Sequence, residues 1–321
     1  MGRVALLSNP RSTGNQALLP RVRTFCAEHP EIFHYEVEQA DQIGEALATI
    51  ARVKPCVLVI NGGDGTVQTA LTELHHGAHF GDDPPPVAVL PNGKTNLIAL
   101  DLGAEGDPIA ALARVVELAK GGLQPHVVAR ELIHLSEGGG TGRAVLGMFL
   151  GGAGLADTMM YCRNRIYPLG LPNTLSHALT AIAWIMSFLL GIRTRYLPPR
   201  PQAMQVEVRR SGSLEGRFAV LLVTTLERLL LAGPVRAERS GLKLLAIEHR
   251  VGPMLRVMAA AFRRDLGRRH YEGVYLESGD EIRLEGGRSG VILDGEMFET
   301  GAGRPIILRP SAPVDFLRLA A

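Results

Sequence analysis

Three uninterrupted apolar runs punctuate the front of the chain, at residues 4–7 (VALL), 56–60 (CVLVI) and 87–90 (VAVL). Each ends in Gly, Pro or Asn before a stretch whose apolar positions recur at helical spacing. Runs with no polar alternation are what strands covered on both faces of a parallel sheet require. The helical patterns lie at 16–28, 42–52, 67–75 and 108–120, the last opened by Asp107 as cap and Pro108 at the first helical position. Strand, Gly-rich turn and helix in succession predict a doubly wound α/β domain over residues 1–124.

After Gly121-Gly122 the texture changes to short strand-like runs at 127–135, 143–150, 204–209, 218–224, 242–247, 274–276, 281–284 and 291–293. Turn signals such as Gly138-Gly139-Gly140, Ser211-Gly212 and Gly286-Gly287 separate them. This predicts a mostly antiparallel, β-rich second domain over 125–321, with its final segment free to pack back on the first, and a boundary between Leu123 and Val127. Residues 178–192 stand out as fifteen positions without a charge. As a helix they would span about 22 Å, short of a bilayer core. That predicts no transmembrane span, but a covering helix or an acyl-chain or interfacial surface.

Composition narrows the partners. The chain has 321 residues and a formal net charge of +2, which suits two globular domains and excludes a small stapled module. So small a charge is not the footprint of a nucleic-acid binder. Cys26, Cys56 and Cys162 form no C-x-x-C pair, which suggests neither disulfides nor a thiolate zinc site and fits a reducing cytoplasm. The opening Met1-Gly2-Arg3 leads into an apolar run too short for a signal peptide.

The candidate chemistry begins at Asn61-Gly62-Gly63-Asp64-Gly65-Thr66, set between a predicted strand end and a helix start. Glycines there allow close approach of backbone to an oxyanion, and the helix N-terminus favours phosphate. Thr66 adds a hydroxyl donor, and Asp64 points to magnesium or to a hydrogen-bonded role holding the loop. A plain turn is the competing reading. Asp294 and Glu296 follow the run 291–293; in an extended segment both carboxylates would project to one side, one for magnesium and one for a proton. The alternative is a hairpin turn at Asp294-Gly295 with Glu296 exposed. His75, His76, His79, Asp82 and Asp83 could ligate a transition metal or simply close a helix. Arg256, Arg263, Arg264, Arg268, Arg269 and His270 surround an apolar stretch, as a solvated face or a patch for anionic headgroups.

The GGDGT loop resembles that of the diacylglycerol kinase catalytic family, which includes sphingosine, ceramide and bacterial lipid kinases. Asn9-Pro10 with Ser12 and Gly14, Pro91-Asn92-Gly93-Lys94-Thr95-Asn96, and Asp294-Gly295-Glu296 occur in that family's order. The resemblance implies an interdomain cleft in which Asn9, Gly62, Gly63, Asp64, Gly65, Thr66, Gly93, Lys94, Thr95 and Asn96 bind ATP. It also implies Mg2+ at Asp64 and Asp294, Glu296 as general base, and Asp294 and Asp64 in support. The acceptor would be a diacylglycerol-like or sphingoid lipid at a membrane surface, reached by a cytoplasmic protein peripheral to the inner face, with a homodimer left open. Lys94 stands where that family usually has Thr, Leu97 where Asp is common, and Ser240 where Asp precedes Gly241, so no second-domain magnesium site is expected. A NAD kinase and a nonenzymatic nucleotide or lipid sensor are the alternatives.

Overall fold

The structure is a computed structural model describing residues 2–81, 83–93, 96–138, 142–190, 196–226, 241–263, 266, 269–286, 290–299 and 304–320. In chain order the elements begin β1 (Val4–Ser8), α1 (Asn15–Glu28), β2 (Ile32–Glu36), α2 (Ile43–Ala51), β3 (Val57–Asn61) and α3 (Asp64–Gly77). Next come β4 (Val87–Val89), α4 (Leu97–Asp101), α5 (Pro108–Gly121), β5 (Val127–Arg130), β6 (Ile133–Glu137), β7 (Val145–Gly147), β8 (Phe149–Gly152) and α6 (Gly154–Tyr161). There follow α7 (Asn173–Leu190), β9 (Ala203–Val208), β10 (Gly212–Thr224), β11 (Leu242–Glu248), α8 (Val251–Arg263) and β12 (Val274–Gly279). The chain ends with β13 (Ile282–Gly286), β14 (Gly290–Leu293), β15 (Glu296–Glu299), β16 (Ile306–Pro310) and β17 (Val314–Leu317). Two compact units result: residues 1–132, 145–147 and 311–321, and residues 133–144 and 148–310.

The first unit is α/β, with strand order β2-β1-β3-β4-β17-β5. β1 to β4 run parallel, β17 lies parallel to β4, and β5 closes the edge antiparallel to β17. All five residues of β1 and of β3 are buried, which is why their apolar runs are unbroken in sequence. Each Val, Leu or Ile so enclosed contributes about 1.5–3 kcal/mol. β2 was not legible as a strand: its Ile-Phe-His-Tyr-Glu sequence suits an edge, where only Ile32 is buried. The apolar stretch at 127–135 is not one strand, because β5 joins this sheet while β6 belongs to the second unit.

The second unit is mostly antiparallel, as its many short runs and turn signals predict. Its strands follow the order β15-β14-β8-β10-β9-β13-β16-β6, with β11 pairing β10 and β12 beside β11. The thirteen-residue β10 joins the two parts of this array: residues 212–217 pair with β9, and its later residues pair with β8 and β11. Buried Ala219, Leu222, Leu245, Ile247, Met254 and Val257 form a core against which Trp184 and Phe188 of α7 also pack. Among the described residues no helix is long and apolar enough to cross a membrane.

Candidate functional site

The carboxyl ends of β1 and β3 and the loop after β4 carry a buried circuit of amides. Asn15 and Asn61 are fully buried and Asn92 nearly so. Asn15 Nδ2 donates to the carbonyls of Asn9 (2.8 Å) and Asn61 (3.0 Å), so the start of α1 is tied to two strand ends. Asn92 Nδ2 donates to Asn61 Oδ1 at 2.8 Å and also to Asn15 Oδ1. Asn61 Nδ2 then donates to Ser8 Oγ at 3.0 Å, and Ser8 Oγ lies 2.9 Å from His34 Nε2. Ser8 Oγ has one proton to give and a second lone pair with which to accept, so the tautomer of His34 decides which partner donates. Burial pushes the His34 imidazole below the ordinary range, opposed by the nearby Glu36 carboxylate. A buried network with its donors engaged fixes one arrangement, since breaking a link strands an amide in low dielectric.

On this platform sits the loop between β3 and α3. Asn9 Nδ2 donates to Thr66 Oγ1 at 2.9 Å, while Asn9 Oδ1 accepts from the Arg11 N–H. The glycines have distinct roles. A Cβ at Gly62 would lie 2.6 Å from the Thr66 Cβ, so packing alone requires glycine there. A Cβ at Gly63 would meet nothing within 4 Å, and its φ of −78° suits any residue. Neither sterics nor backbone explains Gly63; it leaves a bare backbone facing open space at the N-terminus of α3. Asp64 opens the first turn of that helix, where the dipole favours an acid. Its Oδ1 would lie 3.0 Å from a Cβ at Gly93, which brings the third motif's backbone against the carboxylate. Asn96 has φ of 52°, a left-handed conformation that asparagine tolerates, and its Oδ1 accepts from the Gly93 N–H at 2.6 Å.

The first unit therefore gathers Asn9, residues 62–66, Gly93 and Asn96, while Lys94 and Thr95 lie outside the described residues. Sequence reasoning named the surrounding motifs but assigned no role to Asn15, Asn61, Asn92 or Ser12. The signal was an amide at the end of each strand and at the start of a helix. Ser12 Oγ is buried without a hydrogen-bond partner in the β1–α1 turn. An orphaned hydroxyl and a bare glycine backbone fit a nucleotide's phosphate oxygens, which would supply the missing acceptor. For magnesium, the described residues include no group of three His, Cys, Asp or Glu side chains. One carboxylate is still an adequate protein contribution, because Mg2+ keeps waters and takes its other ligands from phosphates. His75 and His76 occupy the last turn of α3 and Asp82 lies outside the described residues.

Asp294 and Glu296 belong to the second unit and do not share a side of an extended segment. Asp294 (φ 47°) and Gly295 (φ 90°) form the two-residue turn joining β14 to β15, with Leu293 paired to Glu296. Positive φ at both central positions is the signature of a type I′ hairpin. The Asp294 carboxylate is buried and accepts from the N–H groups of Met148 and Phe149, both at 2.9 Å. Its own N–H donates to the Phe149 carbonyl at 2.9 Å. Glu296, one residue past the turn, is exposed. The same unit holds Asp157 in the first turn of α6, where burial pushes the carboxyl up to about 6. Ser240 lies outside the described residues.

Comparison with known proteins agrees with the motifs. Residues 3–124 match the family model of the diacylglycerol kinase catalytic domain. A crystal structure of a diacylglycerol kinase from Bacillus anthracis str. Sterne shares the fold with a TM-score of 0.59 at 15% identity, over 99% of this chain and 97% of that one. Another crystal structure from that organism, described as that of “a putative diacylglycerol kinase”, gives a TM-score of 0.63 at 15% identity, over 97% and 94% of the two chains. No curated protein matches the sequence.

Proposed function

We propose that the chain is an ATP- and Mg2+-dependent lipid kinase whose first unit binds the nucleotide and whose second unit receives a diacylglycerol-like or sphingoid lipid. The observation that carries this reading is the bare Gly63 backbone at the start of α3, on a platform of buried asparagines, inside a region matching the diacylglycerol kinase catalytic domain. The N–H groups of Gly62, Gly63 and Gly65, with Thr66 Oγ1 and Ser12 Oγ, would hold phosphate oxygens, and Gly93, Lys94, Thr95 and Asn96 would complete the site. Asp64 would contribute to a bound Mg2+, which would supply charge neutralisation on the phosphates.

Glu296 acts as general base in this scheme. Its exposed carboxylate takes the proton of the acceptor hydroxyl, the hydroxyl oxygen forms a bond to the γ-phosphorus, and the bond to the bridging oxygen breaks to release ADP. Asp294 serves chiefly as the positioning residue that holds the turn presenting Glu296. The protein would act while peripheral to the inner face of the cytoplasmic membrane. The test is ATP-dependent phosphate transfer into a mixed lipid extract in detergent micelles, with product masses read directly for wild type and Glu296→Gln. A phosphorylated lipid made by wild type and lost in the variant supports the reading. Transfer that survives at the wild-type rate in Glu296→Gln removes the base assignment, and ATP binding without any lipid product removes the kinase assignment for those acceptors.

A further inference from the structure

The long helix α7 carries apolar side chains on its exposed face. Among its described side chains the buried ones are Ser176, Thr180 and Ser187, whose hydroxyls are satisfied by the carbonyls of Leu171, Ser176 and Pro198. Its opposite face exposes Leu175, Ile182, Ile185 and Met186, each 41–57% accessible. At 100° per residue these four fall in one stripe of roughly a third of the helix circumference. Trp184 and Phe188 already pack inward from this helix, so the exposed stripe is surplus to covering the unit.

The neighbouring helix repeats the theme. α8 buries Met254, Val257 and Ala260 in the core on which Trp184 and Phe188 of α7 pack, and the Phe188 ring meets that of His249 at 4.7 Å. Its outer side exposes Val251, Leu255 and Met258. Seven of the ten large apolar side chains exposed among the described residues sit on these two helices, so the exposure is concentrated rather than scattered.

Charge selects the occupant. Residues 162–190 contain Arg163 and Arg165 and no acid, and residues 251–263 contain Arg256 and Arg263 and no acid. All four arginines are exposed, although Arg256 also meets Glu272 at 3.4 Å. Apolar stripes on segments that carry arginines and no acid of their own match an anionic bilayer surface, where the aliphatic side chains enter the acyl boundary and the arginines meet headgroups. At 18 residues α7 lies along such a surface rather than across it.

We propose that the outward faces of α7 and α8 are the surface by which this protein docks on an anionic membrane. The proposal takes from the kinase reading only that the acceptor resides in a bilayer; the docking face stands on exposure and charge. The test is flotation of the full chain, without nucleotide, on vesicles of phosphatidylcholine alone or mixed with phosphatidylglycerol. Wild type is expected to partition at least tenfold more strongly onto the anionic vesicles, and to lose that preference in 1 M salt. Ile182→Glu/Met186→Glu and, independently, Leu255→Glu/Met258→Glu are expected to lower partition at least tenfold with an unchanged thermal midpoint, since the altered positions are exposed. Arg163→Glu/Arg165→Glu should remove the lipid preference. Wild type that stays off both vesicles, or both apolar variants binding as wild type does, overturns the proposal. A dimer that the same substitutions convert to monomer, with no vesicle binding, overturns it in favour of a second copy as occupant. Vesicle binding without lipid phosphorylation sinks the kinase reading alone, and phosphorylation of micellar lipid without docking sinks this proposal alone.

Discussion

Replacing Asp294 with Ala separates the structural role of this hairpin from its chemical one. The carboxylate is buried and accepts from two backbone N–H groups at 2.9 Å, one to each oxygen. A hydrogen bond to a charged group contributes about 1.5–3 kcal/mol, and a buried donor left without a partner keeps its desolvation cost. Alanine also inherits the φ of 47°, which a β-carbon with no side-chain hydrogen bond occupies at a cost of about 1 kcal/mol. Water reaching one of the exposed N–H groups offsets part of this, leaving a loss of about 3–4 kcal/mol. For a unit of this size that is a fall of roughly 6–15 °C in its transition. Glu296, exposed and beyond the turn, should cost under about 0.5 kcal/mol as Glu296→Gln. Thermal and urea unfolding of both variants, followed by far-UV circular dichroism, gives the comparison. An Asp294→Ala midpoint within 2 °C of wild type, or a Glu296→Gln loss matching that of Asp294→Ala, would refute the assignment of Asp294 as the residue that holds the turn.

Gly62→Ala should destabilise by about 1–3 kcal/mol because its Cβ would collide with Thr66 at 2.6 Å; Gly63→Ala, with open space, should melt as wild type does yet weaken ATP binding at least tenfold by titration calorimetry. If Gly63→Ala binds ATP normally, the phosphate cradle is elsewhere. Asn15→Ala should cost about 2–4 kcal/mol, since the carbonyls of Asn9 and Asn61 lose their donor in a buried site; a change under 1 kcal/mol in urea melts would show that water replaces the amide. Asp157 has a raised folded-state pKa, so the folded form favours its proton, and the penalty is absent below about pH 4, grows as pH rises, and is complete above about 6. Asp157→Asn should therefore add about 1–2 kcal/mol at pH 7.5, after allowing for solvent screening of a half-buried group, and nothing at pH 4; an equal gain at both pH values contradicts the burial argument.

Much of the first unit was written locally. The unbroken runs in β1 and β3 read as strands because a parallel strand covered on both faces has no polar positions to interrupt it. The 62–66 loop was equally legible, because strand, glycines and helix follow one another within a few residues. Asp107 and Pro108 likewise marked the start of α5 in place. The edge strand β2 escaped, since a half-covered strand can carry His, Tyr and Glu without a decisive period.

What only tertiary structure decided rests on partners distant in sequence. β17 inserts between β4 and β5 although more than 180 residues separate it from β5, and no local pattern encodes a pairing across such a span. The asparagine circuit joins residues 15, 61 and 92 because three strand ends meet there. Each amide in isolation is an ordinary turn residue. Asp294 and Glu296 look equivalent at a spacing of two, but the left-handed turn at Asp294 and the N–H groups of Met148 and Phe149 bury the first and leave the second exposed. In α7 the sequence specified an apolar helix of the right length, yet which side faced the core was settled by its neighbours. The core took Trp184 and Phe188, the Pro198 carbonyl took the Ser187 hydroxyl, and the isoleucines were left facing outward.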